Sequence, residues 1–165
     1  MNKKIITSML CCALLSSVMS YAQKFDKPDK APVDISYLTT RKIPKPLVKV
    51  VYGRPQKESN NVFGDQVPYG EIWRTGANEA VEITFYKDVT FGGKSVKAGT
   101  YALFTIPGTN EWTVILNNNL NQWGAYSYDN SADVVRVSAK ASSDSESLEA
   151  FSIAFKSKPL CFKKN

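Results

Sequence analysis

The sequence predicts an all-β protein, a single antiparallel β-sandwich of jelly-roll-like or Ig-like form with one long packed loop. Two observations predict this class: apolar and polar residues alternate along several short segments, and turn residues separate these segments at intervals of roughly ten residues. The connections are too short for crossover helices, so the strands are expected to be antiparallel. The chain has 165 residues, of which 43% are apolar, which suffices for the core of one domain.

The chain begins with a segment, residues 1–22, that is typical of a signal peptide. Two lysines precede an uncharged stretch over residues 5–18, which is shorter than the roughly 20 apolar residues needed to span a bilayer. Ser20 and Ala22 place small residues where signal peptidase requires them, so we expect cleavage after Ala22. The protein is therefore predicted to be periplasmic or secreted, with no membrane span after cleavage.

The next segment, residues 23–46, contains four prolines. Proline lacks an amide donor and interrupts both helices and strand ladders, so this segment is predicted to be an extended N-terminal arm or an edge of the sheet. The sandwich domain is predicted to follow over residues 47–165. Removing the two leader lysines lowers the formal net charge of +6 by two, to +4. The basic residues of the arm stand singly between prolines and apolar residues, so no nucleic-acid partner is expected.

The predicted strands follow in chain order. Residues 47–52, which are apolar except for Lys49, form a predicted strand that stops at a Gly-Arg-Pro sequence, and residues 81–86 alternate between apolar and polar side chains. Gly92-Gly93 and Ala98-Gly99 are predicted tight turns, because glycine adopts the positive φ that such turns require. The remaining strands are predicted over residues 101–106, 112–116, 134–139 and 148–155, with a turn over 107–110 and a polar loop over 117–130.

One segment, residues 58–79, fits neither the strand period nor the helix period. Loops longer than about 12 to 15 residues in compact domains are usually functional or wrongly assigned as loops. Its aromatic and branched side chains predict that it packs against the core, and either a short strand or one helical turn fits residues 70–74.

Composition excludes several kinds of chemistry. The chain contains no histidine, which excludes Ser-His-Asp and Cys-His catalysis and HExxH zinc sites. Asp65, Asp129 and Asp133 could supply oxygen ligands, but no EF-hand-like alternation of acids is present, so no metal and no cofactor are expected. Cys161 is the only cysteine left after leader cleavage, and it is interpreted as a small buried residue or, alternatively, as the site of an intermolecular disulfide.

Two polar loops carry the candidate ligand-binding residues. In the first, an arginine provides a planar donor fork and its neighbours add amide and carboxylate groups. In the second, aromatic rings stand beside side-chain amides, as in sugar-binding platforms. The predicted binding residues are Arg54, Trp73, Arg74, Asn78, Glu79, Trp123 and Tyr126.

A purely structural interpretation of the same residues stays open. In the first loop, Arg74 would pair with Glu79, Asn78 would cap a turn, and Trp73 would close an edge of the sandwich. In the second loop, the aromatic rings would cover the core.

Several strings of residues resemble one known family. They are GRP over residues 53–55, VPYGEIWRTGANEA over 67–80, AGTYALFTIPG over 98–108, EWTVI over 111–115 and QWGAY over 122–126. Together they resemble the exported proteins of Bacteroidetes-type bacteria grouped as domain of unknown function 2911, and the resemblance covers the chain from about Val48 to Phe155. It implies an exported protein of a Gram-negative cell with one compact domain. The activity of this family is unassigned, so the resemblance implies no catalytic residue.

The sequence favours a non-enzymatic, exported protein that binds a small polar or carbohydrate ligand. One alternative is a glycoside or ester hydrolase in which Glu79 is the acid or base and Arg74 stabilises negative charge. The other alternative is a structural protein in which the loop braces the fold. Sequence does not define the oligomeric state.

Overall fold

The computed structural model describes residues 24–40, 43–58 and 60–156, which form an antiparallel β structure with eight strands and one short 3-10 helix over Asn130–Ala132. The strands are β1 (Val33–Thr40), β2 (Ile43–Gly53), β3 (Val81–Phe85), β4 (Val89–Phe91), β5 (Lys94–Val96), β6 (Gly99–Ile106), β7 (Glu111–Asn117) and β8 (Asp133–Lys140).

Six strands form one sheet in the order β1-β2-β3-β6-β7-β8, and β4 and β5 form a separate two-stranded hairpin. Every pair of neighbours is antiparallel. The prediction of an all-β, antiparallel fold is confirmed. The predicted turn at Gly92-Gly93 joins β4 to β5, and both glycines have positive φ.

Buried side chains form a core on each face of the sheet, and β6 contributes residues to both cores. Residues 101–105 of β6 are all buried. On the front face, register aligns Val81, Leu103, Leu116 and Val135 across four strands, and the β4-β5 hairpin and the last described segment pack against this row. The back face carries a smaller cluster of Ala80, Ala102, Phe104 and Ile115, which is covered by the long loop and by the loop before β8.

The predicted last strand, residues 148–155, is wrong as a regular strand. Its apolar residues do alternate, and Phe151, Ile153 and Phe155 pack on the front face of the sheet. The segment lies across that face instead of beside an edge, so it has no ladder partner beyond a single bridge between Gln56 and Ala150. The Ile153 amide donates to a side chain instead of a neighbouring strand, namely to the Tyr52 hydroxyl at 3.1 Å.

The segment predicted as an N-terminal arm contains β1 and the first residues of β2, and β1 is an edge strand of the sheet. The predicted signal peptide and Cys161 lie outside the described residues. None of the helical structure in the described part of the chain is long and apolar enough to cross a membrane.

Candidate functional site

The long loop is anchored on the end of β6. Trp73 and Thr105 exchange two backbone hydrogen bonds of 2.8 and 2.9 Å, and the Gly70 amide donates to the Pro107 carbonyl at 2.9 Å. Trp73 thus extends the sheet beside β6 by one residue, beyond the start of β3 at Val81. The loop is packed and irregular, as predicted, and residues 70–74 form neither a strand nor a helical turn.

After Trp73 the loop makes a tight turn in an uncommon backbone conformation. Thr75 and Asn78 both have φ of 61°, a left-handed region that β-branched residues rarely adopt. Thr75 is buried, and its hydroxyl lies 3.0 Å from the hydroxyl of Thr105. The turn also packs against the end of β2, where a Cβ on Gly76 would lie 2.9 Å from the carbonyl oxygen of Gly53. Packing on the sheet therefore holds the turn in its strained conformation.

Beside this turn lies a cleft of about 850 Å³, here called the main cleft, which separates the long loop from residues 143–152. Five aromatic side chains line it, those of Phe63, Tyr69, Trp73, Trp112 and Phe151. Four of these rings meet edge to face: the centroid of Phe63 is 4.8 Å from that of Trp112, and the centroid of Trp73 is 5.2 Å from that of Phe151. Amide and hydroxyl side chains line the rest: Gln56, Asn60, Asn61, Gln66, Ser143, Ser147 and Ser152.

Three charged residues also line the main cleft. Lys57 donates to the Ser147 hydroxyl at 3.1 Å, and Glu149 accepts a hydrogen bond of 2.9 Å from the Glu58 amide. Arg74 uses its Nε to donate to the Gly76 carbonyl at 3.2 Å. Among the described residues Arg74 makes no ion pair, so the pairing of Arg74 with Glu79 is not formed.

The structure places Arg54 in a structural position. Its guanidinium donates to the Asp34 carboxylate at 3.1 Å, to the Phe151 carbonyl at 3.0 Å and to the Ser152 hydroxyl at 2.8 Å. Arg54 therefore connects β1 and the end of β2 to the segment that crosses the front face. It holds Phe151, which lines the main cleft, but does not itself line it.

The other four predicted residues lie outside the main cleft, on two paired loops. The Gly124 amide donates to the Asn78 carbonyl at 2.9 Å, and Glu79 pairs with Trp123 through the backbone. The Glu79 side chain is exposed, as are Trp123 (62%) and Tyr126 (86%).

Arg74 lines the main cleft and also lies close to the loop that carries Trp123 and Tyr126. A Cβ on Gly124 would lie 2.7 Å from the Tyr126 ring and 3.6 Å from Nη1 of Arg74. Of the seven predicted residues, the structure thus brings two, Trp73 and Arg74, into the main cleft. The other five do not line the main cleft.

A polar cluster fixes the loop that carries Trp123 and Tyr126. The Tyr128 hydroxyl donates to the Asp133 carboxylate at 2.7 Å and accepts from Arg136 at 2.7 Å. Asn117, which is buried, donates to the same carboxylate at 2.8 Å. Burial, followed by the hydrogen bond to Asp133, raises the pKa of Tyr128 to about 12.

Sequence reasoning missed the largest part of the lining. Phe63, Trp112 and Phe151 come from the long loop, from β7 and from the last described segment, which are far apart in the chain. One signal was available, because the long loop contains more aromatic residues than a connection between two strands needs. Among the described residues no group of three or more acidic or cysteine side chains could hold a metal ion.

Comparison with known proteins identifies a family but no activity. A family model described as "Protein of unknown function (DUF2911)" matches residues 36–160, which is most of the chain. No curated protein and no solved structure matches the chain. The match extends from β1 through all eight strands and includes both loops described above. The chain therefore belongs to the DUF2911 family, the family that its sequence resembles.

Proposed function

We propose that this protein is exported and binds a small polar ligand, a carbohydrate, in the main cleft, without catalysing a reaction. The observation that carries the proposal is the composition of the cleft, which combines five aromatic side chains with seven asparagine, glutamine or serine side chains. Aromatic faces pack on the C–H surfaces of sugars, while amides and hydroxyls bond their hydroxyl groups. The volume of about 850 Å³ is typical of small-molecule sites, which span about 300 to 1,000 Å³.

The charged lining supports binding over glycoside hydrolysis. Glycosidases require two carboxyl groups about 5 to 9.5 Å apart across the bond that is cleaved. The described lining contains one carboxylate, Glu149, and this group already accepts a backbone hydrogen bond. Glu79, the acid or base of the hydrolase alternative, is exposed and lies outside the cleft.

The experiment is a thermal unfolding screen against soluble saccharides and organic acids. A ligand of the folded state raises the free energy of unfolding by mass action, by about 2.7 kcal/mol at a concentration one hundred times Kd. We expect at least one saccharide to raise the melting temperature of the wild type. Asn61→Ala with Gln66→Ala, two exposed lining residues, should reduce the rise without changing the melting temperature of the free protein.

Phe25→Ala is the matched control, because Phe25 is exposed and lies outside the cleft. This variant should respond to the saccharide like the wild type. If no saccharide raises the melting temperature, or if the double variant responds fully, the proposed function is wrong.

A further inference from the structure

A second cleft continues the main cleft along the same end of the sheet. This side cleft has a volume of about 410 Å³ and lies between the β6-β7 turn and residues 139–143. Phe63, Tyr69, Trp112 and Ser143 line both clefts. A ligand longer than one sugar unit can therefore pass from the main cleft along Trp112 into the side cleft.

The charges along this path are mostly positive. Lys57 and Arg74 line the main cleft and Lys140 lines the side cleft, whereas Glu149 is the one acidic lining residue within the described ranges. Neither Arg74 nor Lys140 makes an ion pair with any residue that the structure describes. Arginine presents a planar fork that matches a carboxylate, and a lysine supplies a point charge. The path therefore favours a ligand that carries negative charges at intervals.

We propose that the ligand is an anionic oligosaccharide, a chain of acidic sugars that runs from Arg74 across Trp112 to Lys140. This inference rests on the proposed function and adds to it the length and the charge of the ligand. Each added sugar that reaches the side cleft gains contacts with Trp112 and Lys140, so affinity is expected to rise with chain length until both clefts are filled.

The three tryptophans of the chain give a direct readout of the path. The Trp73 indole lines the main cleft, the Trp112 indole lines both clefts, and the Trp123 indole lines neither. The experiment titrates ¹⁵N-labelled protein with galacturonic acid and its oligomers up to the hexasaccharide and follows the three indole N–H resonances. We expect shifts at Trp73 and Trp112, and a Kd about tenfold lower for the hexasaccharide than for the monosaccharide, equivalent to about 1.4 kcal/mol.

One lysine variant tests the far end of the path, and a second lysine variant is its control. Lys140→Ala should weaken hexasaccharide binding about twofold to fivefold, the range of an exposed ion pair, and should leave monosaccharide binding unchanged. Lys87→Ala is the matched control, because Lys87 is exposed and lies outside both clefts.

Failure of this inference is distinguishable from failure of the proposed function. Affinity that does not depend on chain length, an unchanged hexasaccharide affinity in Lys140→Ala, or shifts at Trp123 in place of Trp112 would overturn the oligosaccharide path. Equal binding of neutral cello-oligosaccharides would overturn the preference for acidic sugars. Either result leaves binding in the main cleft intact. If neither series shifts any indole resonance, the proposed function itself is wrong.

Discussion

At the scale of single residues, Thr75 has a strained backbone and directly follows two residues that line the main cleft. It follows Trp73 and Arg74, and it holds a left-handed conformation while buried against β6. Strain of this kind costs of order 1 to 3 kcal/mol and persists only when the surroundings determine the conformation. The hydroxyl contact with Thr105 is one such determinant.

Thr75→Val tests the hydroxyl, which contacts Thr105 and also donates to the Trp73 carbonyl at 3.3 Å, because valine keeps the branched shape and removes the hydroxyl. The Thr105 hydroxyl would then be buried without its partner, so the free energy of unfolding should fall by about 1 to 2 kcal/mol. Thr75→Ser keeps the hydroxyl and should retain most of the stability. Urea unfolding measures both variants, and equal stability of Thr75→Val and the wild type would show that the Thr75 hydroxyl contributes nothing.

Tyr128 gives the protein a specific response to alkaline pH. Its pKa is about 12 in the folded protein and about 10 in an unfolded chain. The unfolded chain therefore loses this proton first, so the stabilisation from Tyr128 is complete below about pH 10 and is lost as the pH rises towards about 12.

Tyr128→Phe should remove this part of the pH dependence. Its free energy of unfolding should be lower than that of the wild type at neutral pH, because the buried end of the Asp133 carboxylate loses a donor. The difference between the two proteins should then shrink between about pH 10 and about pH 12. Denaturant unfolding across this range measures it, and a difference that stays constant would contradict the role of the hydroxyl.

At the scale of elements, the β4-β5 hairpin covers the front face and depends on its glycine turn. A Cβ on Gly92 would lie 2.6 Å from Cβ of Val137 on β8, whereas a Cβ on Gly93 would meet nothing within 4 Å. Both glycines have positive φ. The two positions therefore separate the effect of backbone conformation from the effect of packing.

Gly93→Ala should destabilise the protein by about 1 to 2 kcal/mol, the cost of a left-handed conformation in an L-residue. Gly92→Ala should cost about 1 to 3 kcal/mol more, because the added methyl group overpacks the contact with Val137. Chemical unfolding of the two variants gives the comparison. Equal destabilisation would mean that the hairpin moves away from β8 without cost.

The strand over residues 81–85 could be predicted from the sequence, whereas the arrangement of residues 148–155 could not. The strand over residues 81–85 alternates strictly and ends at turn residues, so pattern alone located it. Residues 148–155 alternate as well, but alternation reports which side chains are buried and does not report whether a neighbouring strand is present. The sheet already has its six strands, and this segment packs across them.

At the scale of the whole molecule, the candidate site was predictable only in part. Trp73 and Arg74 belong to one continuous polar and aromatic stretch, so local sequence could identify them. Phe63, Trp112 and Phe151 join them through tertiary packing, and nothing in their local sequence marks them as neighbours. Arg54 is predicted to line one end of the sandwich with the loop residues, and in the structure its guanidinium bonds Asp34 and the segment that follows β8.

The account depends most on the claim that the aromatic main cleft binds a saccharide. Calorimetric titration of the hexagalacturonate at several temperatures tests it directly, with the wild type, Trp112→Phe and Trp112→Ala as the three proteins. We predict saturable binding with a negative heat-capacity change, from burial of apolar surface, which Trp112→Phe largely preserves and Trp112→Ala abolishes. Full binding by a folded Trp112→Ala variant, or no heat of binding in the wild type with either the hexagalacturonate or the neutral cello-oligosaccharides, would contradict saccharide binding in the main cleft.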